Sequence, residues 1–173
     1  VNSESIARLP SVPLPESALR RLRAVDRDPI NLHRSLAHAP AMLAPMLDLI
    51  HAVRYESEVP RALRELLICR IAQLERSAYE LAHHLPMALA AGVRQEQLDR
   101  LEHWREADCF TPVEQAVLGY AEHLGAGVER DDEALAAHFS PAEQAELTVA
   151  GAAYIAVARI LRALDVEIDE HCS

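Results

Sequence analysis

RALRELLICRIAQLERSAYELAHHLPMALAAGV, residues 61–93, divides into two helical runs of different character. Pro60 opens a run, Arg61 to Glu75, that is apolar on most sides of a 3.6-residue repeat. A helix of that kind belongs in the middle of a bundle, because a surface helix keeps a polar face for water. Ser77 starts a second run, closed by Gly92 where a left-handed cap is usual.

The flanking sequence extends the pattern. Glycine is scarce, β-branched runs are absent, and alanine, leucine, glutamate and arginine dominate, which is helix-forming composition. A proline-rich lead-in, residues 1–15, precedes an expected helix from Glu16 to Val25; "DRDP" reads as a break before a short helix from Asn31 to Ala39. Pro40 and Pro45 bracket the start of "PAMLAPMLDLIHAVRYE", and "RQEQLDRLEHWRE" reads as one wetter helix. Pro112 and Pro141 stand at favourable first helical positions, and Ser140 with Glu143 forms a capping box before a long final helix reaching about Leu164. The expectation is an all-α protein: about eight helices in one bundle-like domain spanning residues 1–173.

Composition narrows the function. A net charge of −10 argues against a nucleic-acid partner, which needs clustered cations on phosphate. Lysine is absent, so lysine-base and Schiff-base chemistry is excluded, and the 17 cations are all arginine, a residue suited to gripping carboxylates. Cys69, Cys109 and Cys172 are odd in number and widely spaced, neither a disulfide framework nor a zinc pattern. Without a basic segment leading into an apolar run, or a long uncharged apolar stretch, the chain is expected to be cytoplasmic, with no membrane partner.

Candidate chemistry gathers at Ser77 to His84. Ser77 and Glu80 match a capping box, which by itself accounts for both. Glu80 and His84 stand one turn apart on one helix face, where a carboxylate orients an imidazole for general acid or base work. Glu65 shares an apolar face with Ile68, Cys69 and Ala72, so it points inward. Burial then raises its pKa and stores a proton, unless Arg61 or Arg64 pairs with it. Glu80 and His83 form one Glu-x-x-His step, but a di-iron bundle needs two, and no metal site is expected. The remaining histidines read as surface or satisfied core groups, and Met42, Met46 and Met87 as packing.

From Pro60 to Val93 the sequence resembles the core of the carboxymuconolactone decarboxylase and alkylhydroperoxidase D-like superfamily, with weaker similarity through residues 31–40 and two later helices. In the thiol peroxidase branch a glutamate precedes a Cys-x-x-Cys pair by twelve residues, and a histidine follows it by four. On this chain those positions are Glu65, Ser77, Glu80 and His84; Tyr79 stands where that branch can carry a further histidine. Both thiols are lost, so disulfide cycling is not expected. Around "YELAHHLPMALAAGV" the chain is also similar to the decarboxylase branch, which implies a cofactor-free site for an organic acid or lactone. The resemblance implies a homo-oligomer, a trimer or hexamer, with Glu65, Glu80 and His84 catalytic. Ser77, Tyr79 and His83 would touch substrate, with Arg64 or Arg76 available for a carboxylate. A non-catalytic oligomeric binding protein and a residual peroxidase using the lone thiol of Cys69 remain the alternatives.

Overall fold

The computed structural model describes residues 9–10 and 12–170; part of the proline-rich lead-in, His171 and Cys172 lie outside the described residues. Among these, nine α-helices and one 3₁₀ segment appear, and no strand. The helices are α1 (Glu16–Arg23), α2 (Asn31–Leu36), α3 (Pro40–Tyr55), α4 (Arg61–Leu74), α5 (Ala78–Ala90), α6 (Gln95–Arg100), α7 (Pro112–Ala126), α8 (Asp132–His138) and α9 (Pro141–Ala163). The all-α bundle expected from the sequence is what forms.

Helix α4 is the axis. Every residue from Leu63 to Ala72 is buried, as its all-round apolarity requires, and α5, α7 and α9 pack against it. Leu67, Ile68 and Ile71 meet Val117, Leu147 and Tyr154 on one side, while Leu66 and Cys69 meet Ala88, Leu101, Trp104 and Leu118 on another. Smaller clusters then seat α1, α2 and α3, with Leu32 against Val157 and Leu161, and Ala18 against Leu43.

The α4–α5 corner sets the angle at which the two site helices meet. Arg76 takes a left-handed conformation, φ 55°, and lets the Ser77 amide donate to the Ala72 carbonyl at 2.8 Å. Buried Glu75 anchors the corner to α9, accepting from Arg159 at 2.7 Å while its carbonyl accepts from Arg162 at 3.1 Å.

Several expectations change. Pro45 lies inside α3, not at its start. Residues 95–107 are not one helix: α6 gives way to a 3₁₀ segment, Leu101–Glu106, with a non-helical His103, so Leu101 and Trp104 both turn inward. Helix α9 is, among the described residues, long and apolar enough overall to cross a membrane. It packs against α3, α4 and α7, as a core helix does.

Two substitutions test this account. Leu67→Ala removes a side chain with no exposed surface and should cost about 2–5 kcal/mol in urea unfolding. Arg76→Gly relieves an exposed left-handed residue and should be neutral or stabilising by up to about 1 kcal/mol; a loss comparable to that of Leu67→Ala would refute the strain at this corner.

Candidate active site

His84 sits on α5 facing α4, buried between two carboxylates. Its Nδ1 lies 2.8 Å from Glu65 Oε2 and its Nε2 lies 3.4 Å from Glu80 Oε2. All three side chains are nearly without solvent contact. The edge of the ring meets the Tyr154 ring of α9, centroids 4.8 Å apart at 88°. The three residues expected to act together are therefore brought together, but in different roles. The closer, hydrogen-bonded partner is Glu65, so orientation comes from α4; Glu80 is the outer neighbour.

Electrostatics separates the two carboxyls. Burial pushes both upward. For Glu65 the His84 hydrogen bond and charge, helped by Arg54 and by Arg61 at 3.6 Å, outweigh burial, and its pKa falls below the ordinary value. For Glu80 burial prevails over the pull of His84 and Arg54, Glu65 adds to it, and the pKa rises. The proton storage expected of Glu65 is thus favoured at Glu80 instead: one histidine cannot compensate two buried carboxylates equally, and the nearer one takes most of the benefit.

The capping expectation is half met. Ser77 Oγ accepts from the Glu80 amide at 3.3 Å, but the Glu80 carboxylate turns to His84 and the Ser77 amide is satisfied by Ala72. At the second box, by contrast, Glu143 does reach back, accepting from the Ser140 amide at 2.8 Å.

Beside the trio lies a cavity of about 250 Å³ between α1, α2 and α3 on one side and α5 and α9 on the other. Glu80 and His84 reach its wall; Glu65 stands behind His84, off the wall. Tyr79 and His83 line it, with rings stacked 4.6 Å apart, but their polar atoms are engaged by Asp169. Tyr79 Oη donates to Asp169 Oδ2 at 2.5 Å, His83 Nε2 lies 3.1 Å from the same oxygen, and Oδ1 accepts from the Asn31 amide at 2.8 Å. Glu80 and His83 thus face different partners and do not converge as a metal pair.

Ser77 does not line the cavity and is spent on the helix start. Nor do Arg64 and Arg76 reach it: Arg64 donates to the carbonyls of Val59 and Val53, and Arg76 is exposed at the corner. The arginines on the wall are Arg21, paired with Asp48 at 2.6 Å, and Arg27 and Arg54. His33, His51, Met46 and Met87 also line the cavity, where the sequence suggested surface or plain packing. Burial and the nearby Arg27 hold the His33 pKa down at about 4, so the ring is neutral near pH 7; its Nδ1 accepts from the Ile30 amide at 3.3 Å, leaving the ring proton on Nε2. No local signal marks Arg27, Arg54, Tyr154 or Asp169, because each reaches the site from a distant element.

Residues 40–123 match the model of the Carboxymuconolactone decarboxylase family. YdfG of Bacillus subtilis (strain 168), an uncharacterized protein, is 29% identical over 86 residues, 50% of this chain and 58% of that protein, so the shared stretch spans little over half of the relative. The debrominase Bmp8, solved as its C82A variant with 2,3,4-tribromopyrrole, superposes with a TM-score of 0.81 at 16% identity, covering 98% of this chain and 96% of that one. An alkylhydroperoxidase AhpD core, a peroxidase-related protein from Ralstonia eutropha JMP134, gives the same TM-score, 0.81, at 16% identity and the same coverage of 98% and 96%. The segment from residue 40 to 123, just under half of the chain, is thus similar to the carboxymuconolactone decarboxylase family, and the fold is that of the alkylhydroperoxidase D-like superfamily's solved members.

The unequal carboxyls give opposite pH signatures. Native Glu80 holds its proton to higher pH than the unfolded chain, so its contribution to stability is full below about 4.5 and is lost as pH rises through the native pKa. Glu65 contributes above its unfolded value and loses that contribution as pH falls through its depressed native pKa. In urea unfolding from about pH 4 to about pH 8, Glu80→Gln should gain stability relative to the parent as pH rises, whereas Glu65→Gln should lose it. Parallel curves for the two variants would show that the carboxyls are equivalent.

Proposed function

We propose that the protein is a cofactor-independent acid–base enzyme of this superfamily, acting by proton transfer or decarboxylation on a small carboxylated or lactone-like compound. The carrying observation is the buried Glu65–His84–Glu80 row, in which Glu80 and His84 meet the cavity while Glu65 stands behind His84. Glu65 holds His84 with Nδ1 toward α4, which leaves Nε2 beside Glu80. Glu80 and His84 then exchange a proton with substrate carbon. In decarboxylation the C–CO₂ bond breaks, its electron pair stays as an enolate, and Glu80 or His84 supplies the proton that forms the new C–H bond; solvent restores it. A raised carboxyl suits this role because a general acid works best with a pKa near the working pH.

Peroxide reduction through Cys69 is disfavoured by the environment of the thiol. Cys69 has no exposed surface, and burial together with Glu65 and Glu80 pushes its pKa far upward, whereas the reactive species is the thiolate.

A panel of unsaturated lactones and β-keto or vinylogous acids, incubated with protein in D₂O and followed by NMR, tests the reading. Deuterium incorporation or loss of carbon dioxide should follow a bell-shaped pH profile and fall by about 10²–10⁴-fold in His84→Gln, while Cys69→Ser leaves the rate within about twofold. Equal rates in His84→Gln and parent would refute the proton-transfer role; activity abolished by Cys69→Ser would restore the thiol route.

A further inference from the structure

Two of the three arginines on the cavity wall are not ion-paired among the described residues. Arg21 and Asp48 cancel in a two-pronged pair, Arg21 Nε to Asp48 Oδ1 at 2.6 Å and Nη2 to Oδ2 at 3.0 Å. Among the described residues Arg27 and Arg54, both half-buried, make no ion pair or hydrogen bond to a carboxylate; the charge of Arg54 reaches Glu65 and Glu80 without contact, and its guanidinium donates to Met87 Sδ at 2.9 Å. Burial and the charge of Arg54 depress the Arg27 guanidinium. Two like charges on one mostly apolar cavity are costly unless something of opposite sign joins them.

A second, independent feature stands on the same wall. Tyr154 is 3% exposed, and its hydroxyl has no hydrogen-bond partner among the described residues. Buried hydroxyls are nearly always satisfied, so an orphan on a residue that lines a cavity points to an acceptor from outside the chain. Its ring packs on His84, which puts that acceptor beside the proton-transfer row. The rest of the lining, Leu22, Ile30, Leu43, Met46, Ile50 and Val157, is apolar.

We infer that the cavity binds an organic acid by gripping its carboxylate with Arg27 and Arg54, seating its apolar body on the α1–α3 side and giving an oxygen near the reacting carbon a hydrogen bond from Tyr154. This rests on the acid–base reading for the reaction but not for the binding. It also refines that reading. A carboxylate in contact with two guanidiniums is stabilised in the ground state, and expelling it as carbon dioxide would forfeit that contact. The anchored carboxylate is therefore the handle, and chemistry occurs at another carbon, next to His84.

Isothermal titration with 4-phenylbutyrate and its uncharged amide, 4-phenylbutanamide, tests the grip on the full chain. The carboxylate should bind at least about tenfold more tightly than the amide. Arg27→Gln and Arg54→Gln should each weaken the carboxylate by about tenfold or more and leave the amide unchanged, which also reports that the variants are folded. Tyr154→Phe should weaken 4-oxo-4-phenylbutyrate, which adds a carbonyl oxygen away from the carboxylate, and leave 4-phenylbutyrate unchanged. Equal binding of acid and amide, carboxylate affinity unmoved in the arginine variants, or no carboxylate binding up to about 10 mM overturns the inference. Turnover separates the two readings: carboxylate affinity in a parent protein that turns over none of the acids or lactones leaves the grip standing and the enzyme reading fallen, whereas turnover on uncharged lactones with no arginine dependence does the reverse.

Discussion

The 2.8 Å hydrogen bond between Glu65 and His84 is the constraint on which the site depends. It joins α4 to α5 inside an apolar core, where neither partner has water to fall back on, and it fixes which ring nitrogen faces which carboxylate. A carboxylate buried alone would cost several kcal/mol. Here its partner is delivered by the left-handed turn at Arg76, which sends α5 back along α4 at the angle that brings position 84 over position 65. Corner, axis and site are thus one problem solved together.

The far side of the cavity is held by a different device. Asp169, beyond the last helix, bonds the start of α2 and both aromatic rings of the first turns of α5. Tyr79 and His83 are thereby kept as wall, with their polar atoms turned into that network. This explains why residues of the right chemical type for substrate contact are poorer candidates than Arg27, Arg54 and Tyr154, whose hydrogen-bonding capacity is left over.

What could be read from the sequence follows from the range of each interaction. The buried axis was legible because all-round apolarity over residues 61–75 has one common cause, and the cap at Ser140 because it is completed within four residues. Glu65, Glu80 and His84 were legible as a group through helical spacing and the family resemblance. Their division of labour was not, since the choice of which carboxyl keeps the proton depends on a difference between 2.8 and 3.4 Å and on the field of Arg54 from another helix. Asp169 meets Asn31 across 138 positions, and Tyr154 reaches His84 from α9; no local pattern announces such contacts. The Ser77 box misled for the opposite reason, because the local pattern was present and a long-range demand on Glu80 overrode it.

The same environment bears on what thiol chemistry would require at this place. A reactive thiol needs a surrounding that favours its anion: nearby positive charge, a helix N-terminus or access to water. The position that a cysteine holds in the thiol branch is occupied here by Glu80, and burial beside a second carboxylate favours its neutral form. A thiolate placed there would meet the same penalty, and Cys69, one turn beyond Glu65, does meet it, from burial and from both carboxylates at once. A core that favours a proton on Glu80 must also keep a neighbouring sulfur protonated. Proton storage and thiolate reactivity are therefore competing uses of one pocket, and the second carboxylate decides between them.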